Sequence, residues 1–200
     1  GTRNAADVLL RGIAPGVPVV MTSATLETEL VAEAMRRLAC PVTCVPSAPD
    51  FREENIALAL SACACVGLRG PQVERSMRSL APDIADFRVF PLDGGELAFA
   101  FSANDVESTG RLFESLSWAP EKTTLLYNGR GDRPGRDAAF ERFFSDRRWR
   151  AIVRIGSAHE QDDAALVRSI SGRGRVFGCG NAAGAPLRLL SLLDGEERHE

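Results

Sequence analysis

Two hundred residues allow one or two domains and enough chain to bury a core. Hydrophobic residues at 44% and charged residues at 26% are the proportions of an ordinary globular protein, and the formal charge of -3 excludes a polyanion binder that works by bulk positive charge. The apolar runs fall short of the roughly 20 residues a membrane helix needs, no secretory leader stands out, and a soluble chain is expected.

The chain opens at Gly1 rather than Met, as expected of a trimmed chain or a piece of a longer protein. Val17 to Thr22 predicts a strand, Leu26 to Leu38 a helix and Val42 to Val45 a strand, with Glu53 to Val66 and Pro71 to Leu80 helical. Phe87 to Leu92 and Leu97 to Phe101 follow as strands, then a helix at Val106 to Leu116 and a strand at Thr123 to Tyr127. Arg136 to Phe144 is helical, Ala151 to Ile155 a strand, Asp162 to Ile170 helical, Arg175 to Phe177 a strand and Ala183 to Leu193 helical. This alternation predicts an α/β fold with a mostly parallel sheet flanked by helices. Pro82, Pro91 and the Asp93-Gly94-Gly95 turn predict a boundary. Residues 87–200 then form a Rossmann-like domain, and residues 1–86 read as the tail of a larger domain.

Lys122 is the only lysine, so no Gly-rich loop ends in Gly-Lys-Ser/Thr and these residues hold no P-loop. Cys40, Cys44, Cys63, Cys65 and Cys179 form no Cys-x-x-Cys pair. Cys63 and Cys65 lie in an apolar helical stretch, so structural burial in a reducing cytoplasm is expected rather than a metal site. Met21-Thr22-Ser23-Ala24-Thr25-Leu26 is similar to a helicase Ser-Ala-Thr motif, but the P-loop, the acidic pair and a basic, aromatic-studded surface are missing. Nucleic acid is not an expected partner.

Four segments could carry chemistry. In Phe101-Ser102-Ala103-Asn104-Asp105-Val106-Glu107-Ser108-Thr109 a strand runs into a helix with Asn104 or Asp105 as N-cap. Capping alone explains Asp105, and open N–H groups at a strand's carboxyl end could equally bind an anion or nucleotide. In Tyr127-Asn128-Gly129-Arg130-Gly131-Asp132-Arg133-Pro134-Gly135-Arg136 three arginines surround one aspartate, and arginine's planar fork suits carboxylate or phosphate. Val176-Phe177-Gly178-Cys179-Gly180-Asn181-Ala182-Ala183-Gly184 offers a Gly-x-Gly that close packing also explains, with Asn181 expected as an N-cap. Phe51 to Leu60 opens an alanine-rich helix, with Asn55 expected in its first turn as the polar residue at its exposed end.

Taken in order, these segments resemble the C-terminal half of the poly-γ-glutamate synthase ligase subunit (the CapB/PgsB family), a relative of the Mur peptide ligases and folylpolyglutamate synthase. Phe99 to Thr109 is similar to the family's Asn-x-Phe-x-Ala-Asn-Asp-x-x-Ser-Thr signature. Leu126 to Phe140 resembles its Asn-x-Arg-x-Asp-Arg-x-x-Arg-x-x-x-Phe signature, and Val176 to Gly184 its final Gly-x-Gly-Asn-x-x-Gly. Phe51 to Leu68 is similar to its helix that begins with an Asn, and Arg88 to Leu92 to the strand leading into its last domain.

The resemblance implies an ATP-dependent amide ligase that polymerises glutamate through γ-linkages by way of an acyl phosphate, with ATP and magnesium as cofactors. It makes residues 1–86 the C-terminal part of a Mur-ligase-type central ATPase domain and residues 87–200 the C-terminal ligase domain. By the same likeness Asn55, Asn104 and Asp105 are nucleotide-binding candidates, and Asn128, Arg130, Asp132, Arg133 and Arg136 are substrate-binding candidates. It implies glutamate or poly-γ-glutamate as substrate, membrane subunits of a synthase complex as partners, and a place on the cytoplasmic face of the membrane. The anchoring helix, P-loop and metal-binding acids would precede Gly1, so the chain alone is expected to be inactive. Ala100, Phe101, Ser102, Pro82-Asp83-Ile84-Ala85 and Gly131 depart from the family pattern. A catalytically inactive nucleotide- or anion-binding module, or another Mur- or folylpolyglutamate-type ligase, stays open.

Overall fold

The computed structural model describes every residue except Gly1, Pro49, Pro82, 84–85, Asn104, Arg130, Arg133, 157–161 and 197–200. The chain divides into two units, Gly1–Ala81 and Pro82–Glu200.

The first unit contains α1 (Thr2–Leu10), β1 (Val19–Thr22), α2 (Ser23–Leu26), α3 (Glu29–Arg37), β2 (Val42–Val45), α4 (Phe51–Cys65) and α5 (Pro71–Arg78). The predicted helix from Leu26 is split. Thr22 caps α2 by accepting from the Thr25 N–H, and Thr28 is extended before α3 begins. Strands β1 and β2 pair in parallel, with Val19 opposite Val42. Their core is small: Met21, Val31, Ala34 and Met35 are buried, with Leu10, Ile13 and Leu26 among the partly buried side chains against them. Helix α1 has no counterpart among the predicted elements; its Leu10 packs against this core while Val8 and Leu9 remain exposed.

Helix α4 is capped by Asp50, whose Oδ1 accepts from the Arg52 N–H at 2.8 Å. Ile56 is its one buried residue. The expected burial of the cysteine pair is therefore corrected: Cys63 is half-buried and Cys65 exposed, in a helix that packs mainly on β1, β2 and α5 of this unit.

The second unit contains β3 (Arg88–Leu92), β4 (Gly95–Phe99), α6 (Val106–Ser115), a single helical turn at Pro120–Lys122, β5 (Thr123–Asn128), α7 (Pro134–Ser145), β6 (Ala151–Ile155), α8 (Asp163–Arg168), β7 (Arg175–Gly180) and α9 (Ala185–Glu196). The sheet order is β3-β4-β7-β5-β6. Strand β3 pairs antiparallel with β4, and the other neighbours are parallel, which is the mostly parallel α/β architecture expected. The Asp93–Gly94 turn is the tip of the β3–β4 hairpin, with Gly94 at φ 75°, so it belongs inside this sheet rather than at a boundary.

Both faces of the sheet are covered, as parallel strands require. On one face Leu126, Val176 and Phe99 pack with Leu166 and Ile170 near α8 and with Leu189 and Leu190 of α9. On the other, Leu125, Tyr127 and Phe177 pack with Phe113 of α6 and Phe140, Phe143 and Phe144 of α7. The helices that follow β5 and β7, neighbouring strands, thus leave to opposite faces. In open α/β sheets the crevice outside such a switch point is where ligands bind.

Candidate functional site

Three of the four segments singled out in the sequence meet at the carboxyl edge of this sheet. They follow β4, β7 and β5, which are adjacent in the sheet. Register brings them together: Phe99 lies opposite Gly178, and Asn128 opposite Gly180.

After β4 the chain turns back on itself, the Ala103 N–H reaching the Ala100 carbonyl at 3.1 Å. Asp105, in extended backbone, caps α6: its Oδ1 accepts from the Ser108 N–H at 2.8 Å. Thr109 is buried and its hydroxyl donates to the Ala103 carbonyl at 3.3 Å. This end of α6 therefore presents an exposed carboxylate that already serves the helix. Asn104 lies outside the described residues.

After β5, two consecutive side chains point to opposite faces, as strand residues do. Asn128 is buried, and its Nδ2 donates to the carbonyls of Asn181 at 2.6 Å and Ala183 at 2.9 Å. Its own carbonyl accepts from the Asn181 N–H at 2.9 Å. Tyr127 points the other way, and its phenol donates to Asp137 Oδ1 at 2.5 Å, in the first turn of α7. Burial, then the Asp137 hydrogen bond, raise the Tyr127 phenol well above its ordinary range. Asp132 is exposed and Arg136 half-buried at the start of α7, and each is engaged within the chain. Arg130 and Arg133 lie outside the described residues.

The glycines explain why the strand ends can approach so closely. A Cβ on Gly178 would overlap the Phe101 ring, and one on Gly180, at φ 106°, would strike the Asn128 carbonyl. A Cβ on Gly156, at φ 111°, would strike Asn128 Oδ1. The Gly-x-Gly of β7 is thus accounted for by packing. Asn181 is not the N-cap expected of it: α9 starts at Ala185, and Gly184 supplies the carbonyl for the Arg188 N–H. Asn181 instead belongs to the loop that Asn128 holds.

Asn55 belongs to the first unit. It is exposed, and because α4 begins at Phe51 it stands in the second turn rather than the first. Sequence reading missed the Tyr127–Asp137 pair and Gly156, since neither carries a local motif. Among the described residues no group of three or more His, Cys, Asp or Glu is arranged to hold a metal ion. Among them, too, no helix is long and apolar enough to cross a membrane.

Residues 86–196 match the family model described as the poly-gamma-glutamate synthase CapB C-terminal domain. None of the curated proteins matches the chain. Among solved structures the chain is similar to two single-residue mutants of L. casei FPGS, at 14% and 13% identity with TM-scores of 0.52 and 0.51; each match covers 96% of this chain and 56% of the other. A folylpolyglutamate synthase from Thermotoga maritima aligns at 12% identity and a TM-score of 0.49, over 92% of this chain and 54% of that one. At such identities the likeness is one of fold. The chain spans little more than half the length of these structures.

Proposed function

The chain belongs to the poly-gamma-glutamate synthase CapB C-terminal domain family, and on that premise we propose that it is the C-terminal part of an ATP-dependent amide ligase that joins glutamate through γ-linkages. In this reading residues 1–86 are the end of the ATPase-type central domain and residues 87–200 the ligase domain. The γ-phosphoryl group of ATP passes to a glutamate side-chain carboxylate, giving an acyl phosphate and ADP. An incoming amine then attacks the acyl carbon, forming the amide and releasing phosphate. Transfer of this kind rests on positioning and on neutralising charge, which is what arginine forks and a helix N-terminus supply.

Asp105 and Asn104 are assigned to the ribose or phosphates of ATP and Asn55 to the adenine edge. Arg130, Arg133 and Arg136 are assigned to carboxylate or phosphate, with Asp132 orienting them. Asn128 acts through the 181–183 loop it holds, because both protons of its amide are engaged. The described residues offer no ligand set for the magnesium this chemistry uses, and no step is assigned through it. Membrane subunits of a synthase, and a place on the cytoplasmic face of a membrane, belong to the same proposal.

The observation that carries the reading is the family match over residues 86–196, with the Asp105 and Asn128–Arg136 segments following strands β4 and β5, which flank β7. Calorimetric titration with a short γ-linked glutamate oligomer tests it. Arg136→Ala should weaken binding at low salt by about 1–3 kcal/mol, the range of a charge-assisted hydrogen bond. Unchanged affinity would sink the assignment.

A further inference from the structure

Tyr127 and Asp137 bracket the Asn128–Arg136 segment. The phenol of Tyr127 sits at the end of β5, and its acceptor, Asp137 Oδ1, lies ten residues on in the first turn of α7 at 2.5 Å. The ring packs among aromatics, tilted at 5.1 Å from Phe140 and edge-on at 4.9 Å from Phe144. On its remaining sides it meets two glycines: a Cβ on Gly129 would lie 3.1 Å from the ring and 3.4 Å from Asp137 Oδ1, and one on Gly180 would lie 2.9 Å from the ring. A side chain at residue 129 would thus crowd the ring and the carboxylate that form the bond. A phenylalanine would fill the same slot equally well, so packing alone does not call for the hydroxyl. What the hydroxyl adds is a tie between the last residues of β5 and the helix turn that carries Arg136.

Resting on the ligase reading above, we infer that Tyr127 is a positioning residue, whose hydrogen bond to Asp137 holds the start of α7, and with it Arg136, in register with the sheet edge for binding a γ-linked polycarboxylate. Neighbouring Asn128 does the corresponding work on the opposite face by holding residues 181–183. One dipeptide thus fastens the loops that follow two adjacent strands.

The test titrates the full chain with a short γ-linked glutamate oligomer at low salt, alongside urea unfolding of each variant. Tyr127→Phe and Asp137→Ala should each weaken binding about five- to tenfold, as expected for one net hydrogen bond. Asp137→Asn keeps an acceptor oxygen and should recover most of the affinity, which a general loss of packing would not allow. Because Tyr127 is the only tyrosine, the phenol's ultraviolet difference signal on adding oligomer should appear in the wild type and fade in Asp137→Ala. Wild-type affinity in Tyr127→Phe, while Arg136→Ala binds poorly, would overturn the inference and leave the ligase reading standing. No binding by the wild type would overturn both. Should Tyr127→Phe fail to fold, the Asp137 pair decides alone: equal affinity of the Ala and Asn variants is fatal to the inference.

Discussion

Single residues at the carboxyl edge show polar groups committed to structure before any ligand arrives. Asn128 satisfies two loop carbonyls in a buried site. Asn128→Ala leaves them without that donor, and urea unfolding should show a loss of about 1–3 kcal/mol. Asp105→Ala should cost about 1 kcal/mol as a lost helix cap, while Asp105→Ser restores the cap. If nucleotide affinity falls with Ser as well as with Ala, the carboxylate has a role beyond capping. Tyr127 gives a pH signature. Its folded-state phenol is raised by burial and by Asp137, with Cys179 and Glu141 adding smaller effects in the same direction. The native state therefore keeps the proton that the unfolded chain loses near pH 10, and stability falls as pH rises beyond that point. Tyr127→Phe should lose the Tyr127 share of this alkaline decline, measurable as a flatter profile of unfolding free energy above about pH 10. Burial likewise pushes up the Cys179 thiol. A thiol reagent should modify exposed Cys44 and Cys65 in the folded chain and reach Cys179 only on unfolding.

At the scale of elements, the parts legible in the sequence are those with a local cause. Strand β6 and strand β2 appear where their apolar runs lie, and α6 begins just after Asp105 because a short acceptor three residues before Ser108 makes a cap. Other boundaries moved for reasons periodicity does not contain. Strand β7 continues through Gly178 and Gly180, poor strand formers, because Phe101 and Asn128 press against them and leave no room for a side chain. Gly180→Ala should therefore destabilise by about 1–3 kcal/mol through strain at φ 106°, with the Asn128 contact adding to it, as read by thermal or urea unfolding. The same logic applies to Gly156, which tucks against the Asn128 side chain.

As a whole the chain is two units of unequal self-sufficiency. The second has a five-stranded sheet covered on both faces by large apolar clusters. The first rests on a two-stranded parallel sheet and four buried apolar residues in its cluster. Parallel strands are stable when buried on both faces, and two strands alone are marginal. Residues 82–200 expressed alone should unfold cooperatively in urea, whereas residues 1–81 alone should show no cooperative transition; the reverse would refute this account of where the stability lies. The α/β class, the order of most elements and the family signatures were determined by the sequence itself, because periodicity, turn residues and short motifs are local. Tertiary structure alone decided that β7 inserts between β4 and β5, that Asn128 grips a loop 53 residues away, and that Tyr127 reaches Asp137. Those pairings depend on strand order and register, which bring together residues that no spacing along the chain connects.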